Sequence, residues 1–306
     1  MLRDALSNLA GIPISRISRI QENASKLYKV YEIPKNNGKK RTISQPTPEL
    51  KAIQRWLIRN VFAKLPVSTY ATAYKKGASI RLNAEFHRNS LFTLHMDFEN
   101  FFPSFTENNV FDFLKENTNL NQDDISFCVD LCCRFGALTV GSPSSPALTN
   151  AMMYAFDQQI SDWCAERKLV YTRYADDINI SSSSPDALGD AEGFIKDASK
   201  EFKFGNLKVN EVKTSYLSKK YRRSITGLNI TPQGSISIGR DRKREIKSLV
   251  YKYKEELLPK ELFWQVGGLI AFANDVEPTF VRSLIEKYGQ KTIEELLHQR
   301  TPRGLK

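Results

Sequence analysis

The chain has 306 residues, 41% of them hydrophobic and 26% charged, enough to bury a large core in more than one subdomain and ordinary for a globular protein. No apolar run approaches the ~20 residues of a membrane span, and the opening MLRDALSNLAGIPISRIS mixes charge into its apolar pattern, unlike a signal peptide, so a cytoplasmic place with no membrane partner is expected. Lys and Arg number 45 against 34 Asp and Glu, a net charge of +11 that favours a polyanionic partner.

Helices are predicted over 2–9 and 14–25. LYKVYEIP then alternates as a strand does, NNGK is a turn in which Gly38 supplies positive φ, and KRTISQP returns as a second strand closed by Pro46 and Pro48. Leu50, Ile53, Leu57, Ile58 and Val61 recur at helical spacing within 49–65, with Lys51, Arg55 and Arg59 to one side. A shorter helix is expected over 79–87. The run 91–97 reads as a strand that ends on a carboxylate, Asp97, and helices follow at 106–116 and 123–134. The stretch 138–146 is a turn-rich loop carrying Gly141, Ser144 and Ser145, and Pro146 suits the first position of a long helix over 147–167. Two apolar, β-branched runs, 169–172 and 178–180, then flank Tyr174-Ala175-Asp176-Asp177, which makes a hairpin with two adjacent acids at its tip. A helix over 186–202, short strands near 207–210 and 216–218, a strand over 224–230 and helices at 241–257, 260–274, 278–287 and 292–299 complete the chain. A boundary is expected near 231–234, where strands give way to basic helices.

The charge is uneven. Residues 1–212 hold 26 basic and 24 acidic side chains, and residues 213–306 hold 19 and 10. The C-terminal third is therefore the expected footprint of a nucleic acid. Its densest clusters are Lys219, Lys220, Arg222 and Arg223, then Arg240, Arg242, Lys243 and Arg244, interleaved with Tyr221, Tyr251 and Tyr253. Cys128, Cys132, Cys133 and Cys164 fit no zinc spacing and read as small buried apolar residues.

Two acids side by side on a turn repel each other unless a cation sits between them, and the usual one is a hard divalent ion, Mg²⁺ above all. Taken alone, the pair also fits a solvated turn, and Asp97 also fits a strand-end cap. If the strands bearing Asp97 and the Asp176-Asp177 pair are neighbours, three carboxylates converge at one sheet edge, and such a set can hold two Mg²⁺ ions about 4 Å apart for nucleotidyl transfer.

Six stretches then stand in one order: NAEFH (83–87), MDFENFFPSF (96–105), GSPSSPALTN (141–150), YTRYADD (171–177), LKVNEVKT (207–214) and ITG (225–227). Over about 27–230 the chain resembles a reverse transcriptase, and within that class the bacterial retron reverse transcriptases. Their Asn-Ala-x-x-His element is matched at 83–87 and their Val-Thr-Gly element at 225–227, with Ile for Val.

The resemblance implies that Asp97, Asp176 and Asp177 ligate two Mg²⁺ ions, with Mn²⁺ as the alternative, and that the Phe98 carbonyl is a further ligand. Phe102, five residues after Asp97, would collide with a ribose 2′-OH and so select deoxynucleotides, core packing being the other reading. Arg41 would pair with the incoming triphosphate, where a guanidinium bonds two oxygens at once, with Lys39 or Lys40 assisting. Lys213 would stabilise or protonate the leaving pyrophosphate. Gly141 and the serines beside it would let backbone approach nucleotide or template. Asn83 and His87, four apart on one helix face, either contact RNA or cap and pack. There is one departure: many reverse transcriptases have Pro-Gln-Gly where this chain has Thr139-Val140-Gly141, and Val140 offers no hydrogen bond to a nucleotide sugar.

The implied fold is an α+β right hand with N-terminal helices over 1–26, fingers over 27–90 and 103–135, a palm over 91–102 and 136–230, and a basic helical thumb over 231–306. The implied partners are dNTPs, a cognate structured noncoding RNA and the single-stranded cDNA copied from it. Synthesis would start from the 2′-OH of a guanosine in that RNA, giving a branched RNA–DNA molecule (msDNA). Residues beyond 230 show no spaced acidic set, so a host ribonuclease H would remove template. An effector on a separate chain, an ATPase with a nuclease, would act with it in anti-phage defence. A reading of a different class is an RNA-binding scaffold or antitoxin that holds such an effector. A third is another small bacterial reverse transcriptase, intron-encoded or diversity-generating.

Overall fold

The computed structural model describes residues 1–34, 38, 40–218, 220 and 223–299. Lys39, Lys219, Tyr221 and Arg222, all in the expected binding clusters, lie outside the described residues. The chain forms two compact units, Met1–Ala78 with Leu94–Tyr216, and Ser79–Thr93 with Leu217–Lys306. Among the described residues no helix is long and apolar enough to cross a membrane.

The first unit opens with α1 (Leu2–Ala10) and α2 (Ile14–Glu22), joined at Gly11, whose φ of 62° ends α1 in the left-handed region. An antiparallel hairpin follows, β1 (Tyr28–Pro34) and β2 (Lys40–Pro46), in register from Tyr28↔Pro46 to Pro34↔Lys40. In α3 (Pro48–Asn60), Pro48 starts the helix where its missing N–H costs nothing, and the apolar spacing buries Leu50, Ile53 and Leu57. The helix is shorter than expected, because residues 62–64 tighten into a 3₁₀ turn. After α4 (Ile80–His87), which belongs to the second unit, come β3 (Phe92–Asp97), α5 (Glu107–Asn117) and α6 (Gln122–Cys132). A Thr106–Asn109 capping box starts α5, and the Asn121 side chain caps α6.

The expected long helix over 147–167 is two helices, α7 (Ser144–Met152) and α8 (Tyr154–Glu166). The Thr149 hydroxyl donates back to the Ser145 carbonyl at 2.9 Å, a bond of the kind that bends helices, and Met153, with ψ −1°, interrupts the run. Then come β4 (Val170–Tyr174), β5 (Asp177–Ser182), α9 (Asp186–Lys200) and β6 (Ser215–Ser218), in a four-stranded sheet ordered β4-β5-β3-β6. The expected strand near 207–210 is only a bridge, Phe98↔Val209, flanked by Glu99 N–H to Lys208 carbonyl at 2.8 Å and Asn210 N–H to Asp97 carbonyl at 2.7 Å. All four cysteines are buried and unbridged, as expected, and burial pushes the Cys132 and Cys164 thiols up to about 12.

In the second unit, 224–230 is a hairpin rather than one strand. Thr226 and Gly227 both take positive φ, 47° and 79°, and turn β7 (Arg223–Ile225) back on β8 (Leu228–Ile230). Two left-handed residues in succession are what a two-residue hairpin turn demands. β9 (Ile236–Ser237) pairs with β8. α10 (Arg240–Lys254), α11 (Phe263–Val276), α12 (Pro278–Tyr288) and α13 (Gln290–Leu297) follow, and their apolar faces share a core with Ala84, Ile225 and Leu228.

Among the described residues of the first unit, Arg173 and Asp157 form a wholly buried ion pair. Arg173 on β4 and Asp157 on α8 are both 0% exposed, and the guanidinium donates to the carboxylate from Nε at 2.8 Å and Nη2 at 2.7 Å. Burial alone would lower the Arg173 pKa, but the Asp157 charge and hydrogen bonds raise it. Removing one member of such a pair strands a charge in a medium that cannot solvate it. Asp157→Asn is expected to cost about 3–5 kcal/mol, read as a lower urea midpoint, and the apolar pair Asp157→Leu with Arg173→Met is expected to cost less.

Candidate active site

β3 ends on Asp97, and β5, its neighbour in the sheet, begins on Asp177. The Phe98 N–H donates to the Asp176 carbonyl at 3.2 Å, and His95 Nδ1 meets Asn179 Oδ1 at 3.2 Å, so the two strands run antiparallel and their acidic ends coincide. Asp97 is 5% exposed, and Asp176 and Asp177 are half-buried. The convergence expected from the sequence is therefore present within one unit. Tyr174 pairs with Asp177, so the turn holds only Ala175 and Asp176, and Ala175 takes a φ of 58°. That conformation costs an L-residue about 1–2 kcal/mol. Arg173 Nη1 meets the Ala175 carbonyl at 3.1 Å and ties the strained turn to the buried ion pair.

The crowding of these acids is visible in their protonation. Burial, then the charge of Asp97, raises the pKa of Asp176, against Lys213 and Arg41. Burial, then Asp176 and Asp97, pushes Asp177 up to about 7. Two like charges 4 Å apart repel by about 4 kcal/mol at an effective dielectric constant of 20, so three carboxylates in this space call for cations. The chain supplies one directly, because Lys213 Nζ lies 2.7 Å from Asp97 Oδ2. The donors are hard carboxylate oxygens of the type Mg²⁺ takes, and the raised pKa values of Asp176 and Asp177 mark a site short of positive charge. They fit a divalent ion in chemistry and in charge. Among the described residues no three acidic, His or Cys side chains already stand as a metal-holding group. Lys213 occupies one oxygen of Asp97, Oδ2, and its own side chain is 52% exposed.

The other expected residues divide. Arg41 is exposed on β2 and close enough to act on the charge of Asp176. Lys40 is paired across the hairpin with Glu32 at 2.8 Å. Phe102 begins a 3₁₀ turn after Asp97 and is half-buried, its ring 5.5 Å from that of Phe101, whereas Phe98 and Phe101 are buried. Gly141, with φ 106°, has its close approach to β2 and not to open space, since a Cβ there would lie 2.8 Å from the Ser44 carbonyl oxygen. The Val140 carbonyl accepts from the Ser44 N–H at 2.8 Å. The loop serines are likewise tied inward, with Ser142 Oγ donating to Gln54 Oε1 at 2.9 Å and Ser145 Oγ to the Thr139 carbonyl at 2.8 Å. These bonds hold the loop in shape.

Three residues expected to touch RNA are internal to the second unit. Asn83 and His87 on α4 are fully buried, which favours packing over RNA contact. The Asn83 amide faces Thr226 Oγ1 at 3.5 Å. Burial, with Arg223 nearby, lowers the His87 pKa to about 3, so it carries no charge for a phosphate. Arg223 is 1% exposed, and its guanidinium donates to the carbonyls of Ser90 and, at 3.1 Å, Arg88. These bonds turn both terminal nitrogens inward onto backbone, while the buried Nε has no hydrogen-bond partner among the described residues. Lys220, Arg240, Arg242 and Arg244 are exposed as expected, and Lys243 pairs with Glu277 at 2.5 Å. On α10, Arg240, Arg244, Lys247, Tyr251 and Lys254 recur at helical spacing and are all exposed, on a face that flanks the buried Ile246 and Val250.

Sequence reading passed over Asp157, Asn150, Arg173 and Tyr74. A charged residue inside an otherwise apolar strand was the available signal for Arg173. Nothing in the local sequence marks Tyr74, which lies outside every predicted element.

The family described as reverse transcriptase (RNA-dependent DNA polymerase) matches residues 33–230. The retron Ec83 reverse transcriptase of Escherichia coli is 38% identical over 88% of this chain and 89% of its own length. The retron Ec86 reverse transcriptase of Escherichia coli is 31% identical over 95% of this chain and 91% of its own. Among solved structures, the telomerase of Candida albicans in complex with a TWJ fragment of telomeric RNA superposes with a TM-score of 0.53 at 14% identity, over 96% of this chain. The chain spans 60% of that protein, and the likeness is one of fold, the α+β right hand of polymerases. The chain belongs to the reverse transcriptase family, among the retron reverse transcriptases, and is an RNA-directed DNA polymerase.

Proposed function

We propose that this chain makes single-stranded cDNA from a structured noncoding RNA of its own retron, starting from the 2′-OH of a guanosine and leaving a branched RNA–DNA molecule. The observation that carries the chemistry is the meeting of Asp97, Asp176 and Asp177 at the ends of two adjacent strands. Asp97, Asp176 and Asp177, with the Phe98 carbonyl, would hold two Mg²⁺ ions, or Mn²⁺ in their place. Bound there, such ions lower the pKa of the attacking hydroxyl and offset charge on the leaving pyrophosphate. Arg41 clamps the triphosphate with its fork of donors. Lys213, displaced from Asp97, is at hand to donate to the departing phosphate oxygens. The Phe102 ring lies against the sugar and rejects a 2′-OH. Val140 contributes only its carbonyl, which holds the loop to β2.

On this reading residues 91–102 and 136–230 act as the palm, 27–90 and 103–135 as fingers, and 231–306 as a thumb. The exposed basic face of α10, with Tyr251 among its cations, suits an RNA stem read by backbone and shape. A host ribonuclease H would trim the template. A separate effector, an ATPase with a nuclease, would join the chain in anti-phage defence.

Sequencing the nucleic acid that co-purifies with the chain from its host tests the function. A branched RNA–DNA species is expected, and Asp176→Asn with Asp177→Asn should reduce it by roughly 10³-fold or more. Unmodified bulk RNA alone would overturn the assignment. Phe102→Ala should admit ribonucleotides in a primer-extension assay, and unchanged sugar discrimination would remove Phe102 from that role.

The Asp177 pKa gives a further expectation. Its folded value of about 7 lies above the ~3.9 of an unfolded Asp, so the folded state holds the extra proton. The stability this proton confers is complete below pH ~4 and is lost as pH rises through about 7. In EDTA at pH 8, Asp177→Asn should therefore melt higher than wild type, by roughly 2–4 °C for each kcal/mol of relieved repulsion, and the difference should vanish near pH 4. Mg²⁺ should raise the wild-type melting temperature more at pH 8 than at pH 6.

A further inference from the structure

Tyr74 is a large aromatic residue in the left-handed region, with φ 58°, and its side chain is 55% exposed. The three residues before it are buried and tied to the catalytic hairpin. Ala71 bridges to Arg173, the Thr72 N–H donates to the Arg173 carbonyl at 2.8 Å, and the Arg173 N–H donates to the Tyr70 carbonyl at 2.9 Å. The buried Asn150 amide donates to the Ala73 carbonyl at 2.9 Å, and Asn150 Oδ1 accepts from Arg173 Nη1 at 3.3 Å. That same Nη1 meets the Ala175 carbonyl, one residue before Asp176. The loop is fixed on its far side too, where Lys75 Nζ donates to the carbonyls of Ser68 at 2.7 Å and Thr69 at 3.0 Å. Both chain neighbours of Tyr74 are thus held, and its ring stands more than half exposed on a loop paired with β4, the strand that leads into Asp176 and Asp177. Burial, then Asp176, Tyr174 and Asp177, raises the pKa of its hydroxyl, with Arg41 opposing.

Backbone strain in an over-determined loop marks positions where a side chain must be presented. The groups around this ring also say what it takes. Arg41 and the carboxylate-bound cations account for phosphate, and Phe102 for the sugar. Of the loop's two lysines, Lys75, next to the ring, is tied back onto the loop's own carbonyls, and Lys76 is exposed one residue further on. An uncharged, flat, rigid ring remains, and the part of the nascent pair still without a protein contact is the flat nucleobase. We propose that Tyr74 is a substrate-contact residue whose ring face stacks on a nucleobase of the base pair being formed. The stack tolerates any sequence, since every base has a π-face. The inference rests on the polymerase reading above.

Single-nucleotide extension with the full chain, Mg²⁺ and a primed template, comparing wild type, Tyr74→Phe and Tyr74→Asn, tests it. Asparagine suits the left-handed backbone, so the loop is kept while the ring is lost. Y74N is expected to raise KM for the dNTP roughly 5–150-fold, the factor for one base–aromatic stack, with kcat changed far less. Y74F, which keeps the face, should match wild type. A template abasic at the coding position separates the two sources of the base. The gap between wild type and Y74N closes there if the ring carries the templating base, and persists if it carries the incoming one. An active wild type with an unchanged KM in Y74N overturns this inference alone, as does a Y74F as impaired as Y74N. A wild type that extends nothing, in step with Asp176→Asn, overturns the polymerase reading and this inference together.

Discussion

Arg173 donates through Nε and Nη2 to Asp157 and through Nη1 to Asn150 and the Ala175 carbonyl, with no exposure to water. A buried guanidinium costs several kcal/mol unless its donors are met, so the elements supplying the acceptors must hold one relative placement. Those elements are α8 through Asp157, α7 through Asn150 and the turn between β4 and β5. The backbone of Arg173 adds the loop at 70–73. One side chain therefore ties α7, α8 and the loop at 70–73 to the turn that carries Asp176. The Tyr171 hydroxyl, 2.7 Å from Asp157 Oδ1, completes the carboxylate's partners.

Against this satisfied centre, the sheet edge beside it is left in deficit. Asp97, Asp176 and Asp177 are gathered at the ends of two adjacent strands, and Lys213 returns one positive charge. The two clusters invert one another: the ion pair spends its charge on holding structure, and the carboxylates keep theirs in excess. An excess that protein groups do not cancel is a standing attraction for cations, and it carries the proposal of a two-metal centre. The second unit makes a similar division. His87, neutral through burial, and Arg223, bonded through its terminal nitrogens to backbone carbonyls, pack its interior, while α10 presents Arg240, Arg242 and Arg244 outward.

Much of this was legible in the chain. The apolar spacing of α3, the β1–β2 hairpin around Gly38 and the acidic tip after β4 each follow from rules that act over a few residues. So do the capped starts of α5 and α6, where a polar side chain meets an N–H three residues on. The order of six short stretches carried the family, because each is a local pattern and their sequence is a strong constraint. The errors were also local in origin. Thr226-Gly227 was read through as strand, although two left-handed residues fold the chain back. The sequence pattern predicts one helix over 147–167, whereas the chain breaks at Met153 just after the Thr149 hydroxyl bonds back to Ser145.

By itself, then, the sequence determined the elements, the acids and the polymerase order, since periodicity, turn chemistry and motif order are written in neighbouring residues. Only the tertiary structure decided which residues are spent inside and which are left outside. Asn83 and His87 carry the look of a ligand pair and are buried. Gly141 has the look of a nucleotide loop, and its missing Cβ makes room for β2. Tyr74 carries no signal in the sequence, yet it stands exposed on a braced loop beside the acids. The physical reason is common to all of them. Burial and pairing are settled by contacts between segments tens to more than a hundred residues apart, such as Lys213 with Asp97 or Arg173 with Thr72, and no local window of sequence contains both partners.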